Sequence, residues 1–110
     1  MDAEGVLVNL RRGTVEHCVL ALLSGQSLYA LDVVRQLSAL QLLTSEGTVY
    51  PLLSRLRRDG LVDSSWSDSP AGPPRRYYSL SPAGALALGD FTRQWQQFRD
   101  AVDKLLEQAA

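Results

Sequence analysis

Cysteine, histidine and lysine each occur once in this 110-residue chain. The lone Cys18 cannot close an intramolecular disulfide, and together with the lone His17 it cannot assemble an ordinary thiolate and imidazole zinc site, so no metal or other cofactor is expected. The opening run MDAEGVLVNLRRG contains acids and no long apolar core, which fits neither a secretory signal nor a membrane anchor. A cytoplasmic protein without a membrane partner is expected. A basic excess is missing too, the net charge being −1, although phosphate attraction usually favours a positive balance. Catalytic groups do not converge in the sequence either. Glu16, Asp32 and Glu46 are isolated on helical segments, Cys18 falls among apolar neighbours, and His17 faces away from it toward solvent. An enzyme needs an acid, a base or a nucleophile brought together in one pocket, and none is expected here.

What is present is 45% hydrophobic and 21% charged residues, enough for one compact folding unit and too little for two. From Gly13 to Ser24, apolar residues at 15, 18, 19, 22 and 23 form a helical stripe, with Thr14 as N-cap and Gly25 as stop. Leu28, Leu31, Val34 and Leu37 then recur three apart, predicting a second helix that Ser27 caps and that ends near Leu40. Thr44 and Ser45 introduce a third, on which Val49, Leu52, Leu53 and Leu56 share a face and which Asp59-Gly60 ends. Pro51 forbids a regular helix around it, so this helix starts either at Thr48 or, as favoured, at Ser45 with a distorted first turn. Residues 61–68 and 75–80 are rich in β-formers and separated by SPAGPP, predicting a hairpin. Ser81-Pro82 then caps a last helix running to about Gln108.

Three short helices followed by a hairpin give the order of a winged helix, in which the third helix enters a DNA groove and the hairpin lies along the backbone. The expected fold is therefore mainly α with a small β-hairpin, a winged helix-turn-helix domain over residues 1–80 and a C-terminal dimerisation helix over 81–110. The outer face of the third helix carries Thr48, Ser54, Arg55 and Arg58, with Tyr50 and Arg57 at its flanks. Small residues permit close approach, while the guanidinium groups reach bases or phosphates. Arg75 and Arg76 lie where a wing would meet phosphate, and strand alternation turns one of them inward or sideways. An ordinary solvated helix face is the competing interpretation.

The segments LRRGTVEHCVLALLSGQSLYALDVVRQL, SEGTVYPLLSRLRRDGLV and GPPRRYYSLSPAG, in this order and spacing, resemble the PadR family of bacterial transcriptional regulators, and its compact LmrR-like branch with one C-terminal helix. Ala30 stands where the family commonly has glycine. The resemblance implies a two-fold dimer that binds an inverted-repeat promoter site and represses transcription until a signal releases it. It also implies a DNA role for Thr48, Tyr50 and neighbouring residues of the third helix, and for the wing arginines.

On the last helix, Leu88, Phe91, Trp95, Phe98, Val102 and Leu105 are spaced 3, 4, 3, 4 and 3 apart, a heptad seam that needs a partner. The same helix of a second copy, or that copy's first helix, would give an isologous homodimer. Core packing suffices to explain Phe91, Trp95 and Phe98. The resemblance adds that a tryptophan at this distance from the SPAG motif lines a central ligand pore. Phe91, Trp95, Phe98, Arg99 and Val15 are thus the expected effector contacts, for a planar aromatic molecule. Where LmrR-like members carry an acid that attracts cations, this chain has Arg99, which favours a neutral or anionic effector. The alternative function is a winged-helix protein-interaction module without DNA binding, favoured by the net charge of −1 and by Glu46 on the third helix.

Overall fold

The computed structural model describes residues 3–43 and 45–109. Thr44 and the Glu46 side chain, both named above, lie outside the described part. The element order is α1 (Ala3–Arg12), α2 (Val15–Leu22), β1 (Leu28–Tyr29), α3 (Ala30–Ala39), a 3-10 turn (Glu46–Thr48), α4 (Val49–Arg58), β2 (Val62–Ser69), β3 (Gly72–Leu80) and α5 (Pro82–Ala109). The strands form one antiparallel sheet in the order β1-β3-β2. This is a winged helix with a long C-terminal helix, as expected.

Helices α2, α3 and α4 close around Leu20, Leu23, Val33, Leu37, Val49, Leu53 and Leu56, all essentially inaccessible to solvent. Val62 and Tyr78 of the sheet complete this core. On α4 all four residues of the expected face are buried, the outcome of apolar spacing at the helical period. Its end is a Schellman motif around Gly60 at φ +78°, in which the amides of Gly60 and Leu61 donate to the carbonyls of Arg57 and Leu56. The α-helix itself starts at Val49 with Thr48 as N-cap, nearer the Thr48 alternative than the favoured Ser45 start, and the irregularity is a separate 3-10 turn before it. Ser45 precedes a 3-10 turn whose Thr48 hydroxyl donates to the Ser45 carbonyl, and Pro51 falls in the first turn of α4, where a missing amide costs least.

One helix is added to the expected elements and three expectations about local structure are corrected. The N-terminal segment is helical: α1 places Val6, Leu7 and Leu10 at helical spacing. Thr14 does not cap α2 with its side chain; its hydroxyl donates backward to the carbonyls of Leu10 and Arg11. Leu28 belongs to a strand, because Leu28 and Tyr29 pair with Tyr78 and Tyr77, so α3 starts at Ala30 and Ser27 caps nothing. The buried face of α3 is accordingly Ala30, Val33, Val34 and Leu37, with Leu31 only half-buried. The hairpin also reaches further than expected, β3 incorporating Pro73 and Pro74. Proline cannot donate to a ladder, and the register shifts opposite them, between Ser67 and Ser69.

The start of α5 is locked against the end of α4. The Ser81 hydroxyl donates to the Gly60 carbonyl and accepts from the Gly84 amide, and the Ser81 amide donates to the Leu61 carbonyl. Ser81 is thus the N-cap, followed by proline at the first helical position, as the sequence suggested.

Candidate nucleic-acid interface and an aromatic cleft

The outer face of α4 exposes Thr48, Tyr50, Pro51, Ser54, Arg55, Arg57 and Arg58. Burial of the opposite stripe dictates this exposure. Its cations are not equally free. Among the described residues Arg58 meets only its neighbour Asp59, at 3.6 Å, whereas Nη2 of Arg55 lies 3.3 Å from Oε2 of Glu16 on α2. Glu16, isolated in the sequence, is therefore the partner of a cation on α4.

Strand alternation separates the two wing arginines as expected. Arg76 stands opposite Trp66 in the β2-β3 ladder and two residues from buried Tyr78, so these three share a face; Arg75 shares the other with Tyr77. Arg76 is half-buried, its guanidinium 4.7 Å from the centre of the Trp66 ring, and its Nε is buried without a hydrogen-bond partner among the described residues. The Arg75 guanidinium lies 4.7 Å from the centre of the Tyr29 ring. Because β1 ends at Tyr29, the β3 edge beyond it is uncovered. There Tyr29, Tyr50, Trp66, Arg75, Arg76 and Tyr78 line an open notch of about 500 Å³ that joins the wing to α4.

A larger cleft, of about 840 Å³, lies between α1 and α5. Leu7, Leu10 and Leu42 form part of its apolar wall, with Phe91, Trp95, Phe98 and Val102 on α5 and Arg11, Arg99 and Asp103 at polar positions. Phe91, Trp95 and Phe98 form a row, successive ring centres being 6.1 and 6.5 Å apart. Of the expected effector contacts, Phe91, Trp95, Phe98 and Arg99 line this cleft; Val15 packs half-buried against the core. The Arg99 guanidinium bonds Asp100 at 3.3 Å, which offsets part of its charge.

The heptad seam divides. Leu88 packs against the core and Phe91 is half-buried, whereas Trp95, Phe98, Val102 and Leu105 are exposed. His17 is half-buried rather than solvated as expected. Its ring stacks on Phe91, centres 4.1 Å apart and planes within 7°, and its Nδ1 is buried without a partner among the described residues. Burial pushes the Cys18 thiol up, the opposite of what a nucleophile requires. No group of metal-ligating side chains occurs among the described residues, and no helix there is long and apolar enough to cross a membrane.

Residues 19–90 match the model of the transcriptional regulator PadR-like family. The chain belongs to that family. A PadR-like transcription factor from Bacteroides fragilis is 37% identical, with 92% of this chain and 98% of that chain covered and a TM-score of 0.75. A PadR family transcriptional regulator from Eggerthella lenta is 34% identical over 94% of this chain and 91% of its own, with a TM-score of 0.84. The fold is also that of Bacillus subtilis PadR, solved in complex with operator DNA: 20% identity, 72% of this chain and 46% of that chain covered, TM-score 0.65.

Within this PadR-like chain, sequence reasoning passed over Tyr29, Trp66, Glu16 and His17 as site neighbours. Richness in β-formers marked Trp66 as a strand residue but not its cross-strand partner, which depends on the hairpin register. His17 meets a helix more than seventy positions later, and periodicity carries no signal for such a contact.

Proposed function

We propose that this PadR-like regulator is a homodimeric repressor that binds an inverted-repeat promoter site through α4 and the β2-β3 wing. The observation that carries this reading is the juxtaposition of an exposed, hydrogen-bonding and cationic α4 face with a wing bearing Arg75 and Arg76. Thr48, Tyr50, Ser54, Arg55 and Arg58 are its groove-facing set, and Arg75 and Arg76 its backbone contacts. The operator complex of Bacillus subtilis PadR supports the same use of the fold.

Dimerisation falls to the open part of the seam, Trp95, Phe98, Val102 and Leu105, whose apolar surface a monomer would leave in water. Leu88 and Phe91 anchor α5 to its own domain, so a dimer built on the open part presents both α4 helices as rigid units. The cleft along Phe91, Trp95 and Phe98 is the proposed effector site, suited by its flat apolar walls to a planar aromatic molecule whose binding releases DNA.

The test is a titration of the protein into labelled duplex from its own promoter region at several salt concentrations. Salt-dependent binding with a two-fold symmetric footprint is expected. Absence of both would favour a protein-interaction module, the reading that the net charge of −1 and the pairing of Arg55 with Glu16 support.

A further inference from the structure

The notch between wing and α4 holds two guanidiniums, and each lies over an aromatic ring. Arginine normally reaches phosphate from a mobile side chain and loses rotamer freedom when it binds. Here that freedom is already restricted. Arg76 lies over Trp66 and Arg75 over Tyr29, each 4.7 Å from the ring centre. The two rings come from different strands, β2 and β1, which flank the arginine-bearing β3 on either side.

Trp66 is 64% exposed, a large apolar ring kept in water on a hairpin strand. Its place under a guanidinium accounts for its presence there, because the ring face attracts the cation without desolvating it fully. Nε of Arg76 is buried and has no hydrogen-bond partner among the described residues. Being inaccessible, that atom cannot itself meet a phosphate; the rest of the Arg76 guanidinium, which lines the notch, is the part that can receive a phosphate oxygen with charge assistance. Tyr50, on the same notch, ties that acceptor's location to α4.

We propose that Trp66 and Tyr29 are positioning residues, which aim Arg76 and Arg75 at the backbone phosphates of DNA that α4 has engaged. Trp66 acts through the planar face of Arg76, and the wing's share of affinity depends on that contact rather than on charge alone. The inference rests on the DNA-binding reading given above.

The decisive variants are Arg76→Lys, which keeps the charge and loses the planar fork, and Trp66→Ala beside Trp66→Phe. Affinity is measured by fluorescence anisotropy on labelled promoter duplex and on a scrambled duplex of equal length. Arg76→Lys and Trp66→Ala are each expected to weaken binding about tenfold, on both duplexes alike, since phosphate contacts carry no base information. Trp66→Phe recovers most of the loss, and Trp66→Ala has little further effect when Arg76 is already alanine. Arg76→Lys binding as tightly as the parent overturns the proposal, as does a Trp66→Ala loss that persists undiminished in the Arg76→Ala background. Arg76→Lys keeps the test open if Trp66→Ala fails to fold. No salt-dependent binding by the parent protein would instead defeat the DNA-binding reading itself.

Discussion

Oε2 of Glu16 lies 3.3 Å from Nη2 of Arg55, so a carboxylate on α2 partly neutralises a cation on the exposed face of α4. Both side chains remain well exposed, at 47% for Arg55 and 35% for Glu16, and such pairs contribute at most about 1 kcal/mol to stability. The pair therefore opens at little cost when a phosphate or a base competes for Arg55, but Glu16 still opposes the approach of an anion. Glu16→Gln is expected to leave the melting temperature nearly unchanged and to tighten duplex binding by a few fold, most clearly at low salt. Anisotropy titrations at two salt concentrations check this. Weaker binding by the variant would mean that Glu16 holds Arg55 in its productive orientation.

Arg58 makes the contrasting case. Its acidic neighbour is Asp59 on the adjacent residue, and its side chain is 73% exposed. Arg58→Ala should weaken binding to promoter duplex while leaving folding and dimerisation intact. If Arg58 meets phosphate, the loss is similar on all sequences and the slope of log affinity against log salt falls by about 1. If it meets a base, the loss concentrates on the specific site. Sedimentation of the variant separates either result from a structural failure.

Helix α4 was legible because it carries a complete apolar stripe: Val49, Leu52, Leu53 and Leu56 are all buried. The cap of α5 was legible from Ser81-Pro82 alone, since capping is a local property. The start of α3 was not, because the apolar period runs on through Leu28 while sheet pairing with Tyr78 takes that residue into a strand. Helix α1 went unread because its apolar side closes no core within the chain, Leu10 being 64% exposed. At the candidate interface, the arginines were visible as residue types, but Trp66, Tyr29 and Glu16 became their partners only through register and helix packing.

The seam on α5 predicts an oligomer that two charges placed on it would break. Phe98 and Leu105 are 64% and 66% exposed and touch none of the core. Phe98→Glu with Leu105→Glu should yield a folded monomer by sedimentation equilibrium, with duplex affinity reduced because two half-sites can no longer be engaged together. A dimer that survives both substitutions would place the interface elsewhere.

Trp95 lines the cleft beside Phe91 and Phe98, and its indole reports on what enters. Titration with a planar anionic dye, anthracenesulfonate, is expected to quench tryptophan emission, and Trp95→Ala to weaken dye uptake, read from the dye's own emission, about tenfold while changing duplex affinity less. A cationic dye of the same shape should bind more weakly if Arg11 and Arg99 outweigh Asp103 at the rim. Equal uptake of dye by parent and variant would remove the cleft from consideration as an effector site.

Two glycines on α5 give opposite expectations for the same substitution. In a helix interior, alanine is favoured over glycine by about 1 kcal/mol. At Gly89 nothing opposes that preference, because an added Cβ would meet only the end of the Arg93 side chain, at 3.7 Å, and the position lies off the heptad seam. At Gly84 the same Cβ would stand 2.0 Å from the Leu61 carbonyl oxygen and 2.7 Å from Cδ1 of Leu80. That carbonyl cannot retreat freely, since it accepts from the Ser81 amide at the start of α5. Gly89→Ala is therefore expected to raise stability by up to about 1 kcal/mol. Gly84→Ala should lower it by about 3 kcal/mol or more, the helical gain being outweighed by displacement of the α4-α5 junction. Thermal unfolding at equal protomer concentration measures both, because melting of a dimer depends on concentration. If Gly84→Ala melts like the parent, the junction yields without cost, and α5 is not rigidly joined to the α4 surface that it would hold against DNA.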